Sequence, residues 1–176
     1  MADKIMFTKT DIEAYFLAEK QGSLLFMVVG LVAIALALLF LFLVRGKFYK
    51  GAALPLLLIG IIQLSASYTV FRRSDEDRVR NVYAYDANPY QLKNDELPRM
   101  KKVNSRFVTY RWIEIMLTLA GAVLVFYFRA KPSGQFWFGL GVTLALQGVI
   151  MLGADYMAEQ RSRAYTSGIE AFTSKL

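Results

Sequence analysis

The sequence lacks both cysteine and histidine. These two absences exclude disulfide bonds, thiol nucleophiles and any metal or haem site built on imidazole. Chemistry is left to carboxylates and to Lys, Arg, Tyr, Ser and Thr side chains. Neither the constellations of intramembrane proteases nor the clustered acids that hold Mg²⁺ in lipid phosphotransferases occur at the required spacing. We expect no metal and no cofactor, and a membrane-embedded enzyme is the third choice of function.

Polar residues are scarce in four long stretches of the chain. The 176 residues are 56% hydrophobic, with a mean hydropathy of +0.36, whereas soluble domains are about 45–50% apolar. The excess lies in residues 23–44, 51–71, 107–128 and 136–157. At about 1.5 Å per residue, each stretch can span the hydrocarbon core of a bilayer. The sequence predicts an all-α integral membrane protein, a single membrane domain over 1–176 with four antiparallel transmembrane helices and short membrane-proximal helical extensions.

The segment before the first apolar stretch, residues 1–22, carries scattered acids and does not have the pattern of a signal peptide. Thr10 and Glu13 fit a capping box, and Ile12, Tyr15 and Phe16 recur on one helical face. This pattern predicts a short amphipathic helix that leads into the membrane. We expect it to lie at the membrane interface, with docking of a partner as the alternative.

Residues 72–106 form the longest segment outside the four apolar stretches. Ser74, followed by three acids, predicts the start of a helix, and Asn88 and Pro89 predict its end. A second helix is expected to begin near Asp95 and to run into the third span. The tail is expected to extend the fourth helix to about Thr166.

The distribution of charge predicts the orientation in the membrane. Sixteen Lys and Arg residues lie on the side of the chain ends and the 72–106 segment, against five in the two short turns. By the positive-inside rule, the termini and the long loop are cytoplasmic, in a bacterial inner membrane or a plasma membrane. The net charge of +7 does not indicate a nucleic-acid partner, because the basic residues are interleaved with Asp and Glu.

Several polar residues lie inside the predicted spans, all in the half of the bilayer nearer the chain ends. Ionisable and amide groups at such depth are costly unless they are paired or hydrated, so they indicate a site. We predict that they form one intramembrane polar cluster. Its candidate residues are Gln63, Ser67, Arg111, Glu114, Gln147 and Asp155.

Two interpretations of Glu114 remain open. In the structural one, Arg111 pairs with Glu114 at (i, i+3), and Glu114 also hydrogen-bonds to Gln63, Ser67 or Gln147 to fix the register of the helices. In the functional one, Glu114 is a site for a proton, a cation or a ligand.

The fourth span carries small residues on one helical face, at Gly141, Ala145 and Gly148. Small side chains let a neighbouring backbone approach closely. Packing within the bundle is the expected use, and dimerisation is the alternative.

The contrast between apolar spans and a charged, Tyr-containing periphery on one side favours a non-catalytic function. We predict a polytopic membrane protein that binds a protein partner or lipid, as an accessory subunit, an assembly factor or a toxin-immunity protein does. The alternative is an oligomeric channel or transporter for a proton or small cation that uses Glu114. Membrane lipids and either a protein partner or further copies of the chain are the expected contacts.

Overall fold

A computed structural model describes residues 7–176 of the chain. This described part is helical and contains four long helices: α1 (Lys9–Phe42), α2 (Lys47–Ala87), α4 (Leu97–Phe128) and α5 (Gln135–Thr173). The short helix α3 (Pro89–Gln91) and a π-helical segment (Leu92–Glu96) join α2 to α4, and a 3-10 turn (Pro132–Gly134) precedes α5. Four helical stretches are long and apolar enough to cross a membrane. The predicted all-α chain with four long helices is confirmed.

Helix α1 begins earlier than predicted. The Asp11 carboxylate accepts hydrogen bonds from the backbone N–H of Thr8 at 2.7 Å and from the Thr8 hydroxyl at 2.8 Å. This cap precedes the predicted pair, so Thr10 and Glu13 lie inside the helix. Ser23 donates to the Lys20 carbonyl at 2.8 Å without ending the helix, and the predicted short leader is therefore continuous with the first apolar stretch. Residues 1–6 of that leader lie outside the described residues.

The extensions beyond the apolar stretches are longer than the sequence predicted. Ser74 does not begin a helix. It lies in the middle of α2, where its hydroxyl donates to the Val70 carbonyl at 2.7 Å. The predicted break at Asn88 is confirmed, but helix resumes at Pro89 rather than near Asp95. Likewise α5 continues past Thr166, and tertiary packing overrides the weak helix formers that follow it.

Helices α2 and α5 form the central pair; α1 packs mainly on α2, and α4 packs mainly on α5. The Thr143 hydroxyl donates to the Ala52 carbonyl at 3.1 Å and so ties α5 to α2. Both central helices run from the two short turns, here called the turn end, toward the chain ends. The predicted antiparallel order holds for consecutive helices, whereas the central pair is parallel.

Close helix contacts depend on a glycine pair at the α1–α2 interface and another at the α4–α5 interface. A Cβ atom on Gly30 of α1 would lie 3.0 Å from the carbonyl oxygen of Gly60 in α2. One on Gly141 of α5 would lie 2.8 Å from the carbonyl oxygen of Gly121 in α4. The small-residue face of α5 therefore packs inside the bundle, which was the expected use rather than dimerisation.

The parts of the helices near the chain ends form a compact head, which comprises residues 7–20, 72–105 and 158–173. Its core draws on all four long helices, and the Tyr15 hydroxyl of α1 lies 3.8 Å from the Met100 sulfur of α4. The face of α1 that was expected to lie on the membrane surface is thus buried against the chain itself. The buried core residues are Phe7, Ile12, Tyr15, Phe16, Ala84, Leu92, Met100, Tyr165 and Ile169.

Candidate functional site

The six predicted site residues lie at two different helix interfaces rather than in one cluster. Glu114, Gln63 and Gln147 are 2%, 3% and 2% exposed, Ser67 is also buried, and Arg111 and Asp155 are half-buried. Glu114 and Asp155 belong to the α4–α5 interface. The two glutamines and Ser67 lie on the central helices. Helix α4 packs mainly on α5, and Gln63 forms no hydrogen bond to Glu114 among the described residues.

At the α4–α5 interface, the carboxyl groups of Glu114 and Asp155 are close neighbours. Among the described residues, Glu114 Oε2 has no N–H or O–H partner. The predicted hydrogen bonds from Glu114 to Gln63, Ser67 or Gln147 are not found in residues 7–176. The sequence placed Glu114 and Asp155 in one predicted cluster but did not single out Asp155 as the neighbour of Glu114, because that pairing depends on the register of α4 against α5.

Arg111 forms its ion pair with Glu159 of α5 rather than with Glu114. Glu159 is buried and also accepts a hydrogen bond from Arg163 Nε at 2.8 Å. Hydrogen bonding from Arg111, reinforced by Arg163, lowers the pKa of the Glu159 carboxyl below its usual value. Sequence analysis overlooked Glu159, although its place one turn after Asp155 and one turn before Arg163 is a usable signal. The salt bridge of Arg111 is thus made to α5 and not to Glu114 on its own helix.

Both amide atoms of Gln63 on α2 and both of Gln147 on α5 are buried and lack hydrogen-bond partners among the described residues. Gln147 follows Thr143 by one turn and Gln63 follows Ala52 by three turns. From the Thr143–Ala52 contact, the backbone positions of the two residues lie about 10 Å apart along the parallel helices. The two side chains form no hydrogen bond to each other, and each keeps an unmet hydrogen-bonding capacity inside the apolar part of the bundle.

A second set of buried polar groups, which the sequence did not reveal, lies in the head. Glu96 is 2% exposed and accepts two hydrogen bonds from Arg99, at 2.8 Å from Nε and 2.7 Å from Nη2. The guanidinium also lies 5.9 Å from the centre of the Phe16 ring. Burial by itself lowers the pKa of Arg99, but its hydrogen bonds to Glu96 outweigh that effect and raise it above its usual value. This pair is a bidentate salt bridge.

Two tyrosines complete the interior of the head. The ring of Tyr15 stacks on that of Tyr165, with centres 4.1 Å apart and planes 2° from parallel. Burial raises the pKa of both phenols, so they remain neutral. Two linked side-chain hydrogen bonds also join α4 to α5: Ser162 donates to Asn104 Oδ1 at 2.6 Å, and Asn104 Nδ2 donates to Thr166 at 2.9 Å. These contacts hold the head as one body.

The head exposes an apolar strip on the outer face of α2, defined here as Val79 and Tyr83. The two residues are one turn apart and expose 63% and 69% of their surface. Around them the charged residues pair within the chain: Arg80 with Asp77, and Lys20 with Asp75. The strip places two neighbouring large apolar side chains, both mostly exposed, on one face of the head.

No protein-family model matches the chain, and no curated protein and no solved structure is similar to it. Within residues 7–176, no three acidic side chains converge to hold a metal ion. A function for this chain must therefore be argued from its own interfaces and surfaces. Three features carry that argument: the Glu114–Asp155 pair, the strip on the head, and the distribution of charge.

Proposed function

We propose that the chain is a four-span integral membrane protein of a bacterial inner membrane or plasma membrane. The long helices present large apolar side chains outward along their apolar stretches, and lipid would cover these side chains. Residues 1–176 form one membrane domain in this proposal, with the head beyond one face of the bilayer. The excess of Lys and Arg on that side favours a cytoplasmic head.

The function proposed for the head is non-catalytic binding of a protein partner. The exposed Val79–Tyr83 strip carries this proposal, because two adjacent exposed side chains, one apolar and one aromatic, on a folded head are typical of an interface. Tyrosine is also among the residues that contribute most to binding energy in protein interfaces. An accessory subunit, an assembly factor and a toxin-immunity protein all act in this way.

Replacing both residues of the strip, Val79→Ser with Tyr83→Ser, is expected to reduce binding of the partner about thirtyfold or more, as loss of a hot spot does. The exposed positions leave the core of the head unchanged. The partner is identified by cross-linking and quantitative mass spectrometry after mild detergent extraction, and its affinity is then measured with both purified proteins.

Leu17→Ser is the matched control, since Leu17 is an exposed apolar residue of the same head on α1. It is expected to bind the partner as the unaltered chain does. Equal binding by the strip variant and the control would refute the proposed interface. Deletion of residues 81–94 would be less informative, because it removes the buried Asn81, Ala84 and Leu92.

The Glu114–Asp155 pair favours a second candidate function, conduction of a proton or small cation by several copies of the chain. Two adjacent carboxyl groups in an apolar interface can bind such an ion without a new ligand. Toward the turn end the buried polar side chains of the described residues are reduced to Thr143. A route through the membrane would therefore have to run between copies rather than through one.

Glu114→Gln is expected to abolish pH-driven or cation flux in liposomes if this second function holds, because glutamine does not ionise and so cannot take up and release a proton or attract a cation with a negative charge. Glu170→Gln is the control, as Glu170 is an exposed carboxylate of the head that pairs with Lys101. Absence of flux in the unaltered protein at several protein densities would rule out the channel and leave the binding function.

A further inference from the structure

The turn end carries a cavity that the head-binding proposal does not use. Its volume is about 470 Å³, and it opens between the α1–α2 turn and the α4–α5 turn. It lies where the four apolar stretches end, which is the level of lipid headgroups in a spanning chain. The lining residues are Phe48, Tyr49, Phe128, Arg129, Ala130, Lys131, Pro132, Gln135 and Phe138.

Aromatic contacts build the walls of this cavity. The Phe48 and Phe138 ring centres lie 5.7 Å apart and so join α2 to α5. The Lys131 ammonium lies 3.4 Å from the centre of the Tyr127 ring and 5.7 Å from that of Phe128. These contacts hold a cation at the rim of an aromatic pocket, which is a defined position rather than a freely moving surface lysine.

The turn end has no carboxylate to neutralise its cations. Residues 21–71 and 115–154 contain five Lys or Arg and no Asp or Glu. In the head, by contrast, Lys and Arg side chains pair with carboxylates of a neighbouring turn or helix. Arg129 and Lys131 line the cavity, and an anion is the ligand that complements them.

We propose that this turn-end cavity binds the phosphate of an anionic phospholipid, held by Arg129 and Lys131. The exposed side chains of Phe126 and Trp137 continue from the cavity along the apolar surface and offer a path for the acyl chains. Such a path favours a lipid over free phosphate, which would leave the aromatic walls uncovered. This site rests on the membrane insertion proposed above but not on the partner of the head.

Trp137 supplies a reporter for the experiment, because its ring lies 6.2 Å from that of the cavity residue Phe128. The chain has two tryptophans, so Trp112→Phe at an exposed position leaves Trp137 as the sole tryptophan, which can be excited apart from the tyrosines. Full-length protein of this kind is mixed with phospholipids whose acyl chains carry bromine, which quenches nearby tryptophan. Phosphatidylglycerol is compared with phosphatidylcholine.

Brominated phosphatidylglycerol is expected to reach half of its maximal quenching at a lipid fraction about tenfold lower than phosphatidylcholine. The double variant Arg129→Gln with Lys131→Gln is expected to lose this preference, and Arg129→Lys with Lys131→Arg to keep most of it. Lys50→Gln also removes a turn-end cation, but Lys50 does not line the cavity. This variant is therefore expected to keep the preference for phosphatidylglycerol.

Three results would overturn the proposal. Equal loss of preference in Lys50→Gln would mean diffuse attraction rather than a site, and displacement of the brominated lipid by water-soluble glycerophosphate at similar concentration would make free phosphate the ligand. Equal quenching of the unaltered protein by both lipids would refute the site while supporting membrane insertion. Absence of quenching by either lipid would refute membrane insertion and the site together.

Discussion

Arg99→Met is expected to lower the free energy of unfolding of the head by about 3–5 kcal/mol, the cost of leaving a buried charge without its partner. Glu96 is 2% exposed, and both of its carboxylate oxygens accept from Arg99. Methionine resembles the arginine side chain in length but cannot donate. The measurement is hydrogen exchange of the head amides in detergent-solubilised protein, with denaturant unfolding as a second readout.

The double variant Glu96→Leu with Arg99→Met is expected to recover most of that loss, because apolar side chains can replace a buried ion pair of similar volume. Lys101→Met is the matched surface control. Lys101 and Glu170 form an ion pair with side chains 55% and 57% exposed, and such exposed pairs contribute about 0–1 kcal/mol. If Arg99→Met cost no more than Lys101→Met, Glu96 would have to be hydrated, and the description of the head interior would be wrong.

The four helices were predictable because continuous apolar runs of this length have few alternatives. Their ends were not, since the signals near Ser74, Asp95 and Thr166 are local and weak. In the structure those segments are held by long-range contacts, such as the stacking of Tyr15 on Tyr165. A local propensity of a fraction of a kcal/mol per residue cannot decide a helix end against packing of that kind.

Which helices pack against each other could also not be predicted from the sequence. The small residues of α5 indicated a close helix contact. They did not indicate that Gly141 would pack against α4 while Thr143 would contact α2. That choice follows from the complementary positions of Gly121 and Ala52 on two other helices. Pairing of this type is a property of two surfaces and is invisible in a single helical pattern.

The position of a polar residue within its apolar stretch predicted correctly that it would be buried. The predicted hydrogen-bond and ion-pair partners were wrong. Gln63, Glu114 and Gln147 are buried, yet Arg111 pairs with Glu159 instead of Glu114. Helical spacing places two residues on the same face, whereas a long arginine side chain can reach the neighbouring helix. The paired charges of the head escaped prediction because they lie in polar segments whose burial depends on the fold.

Gly121→Leu is expected to separate α4 from α5 and to cost about 3 kcal/mol or more, at the upper end of the range for overpacking. A Cβ atom at this position would lie 2.5 Å from the Ala145 nitrogen, 2.8 Å from the Gly141 oxygen and 2.9 Å from the Ala145 Cα. All three are backbone atoms, so no change of rotamer relieves the contact. Helix α4 packs along α5, and moving it also breaks the Arg111–Glu159 ion pair.

Gly153→Leu is the matched control, because nothing lies within 4 Å of a Cβ atom at Gly153, and a substitution there is expected to change stability by less than about 0.5 kcal/mol. The chain lacks cysteine, so cysteines introduced at the exposed Ile113 and Tyr156 can carry spin labels whose separation reports the α4–α5 distance. A longer distance in the Gly121 variant alone is the expected result. An unchanged distance with unchanged stability would mean that α4 does not pack on α5 through Gly121, and the assignment of Glu114 to the same interface would fail with it.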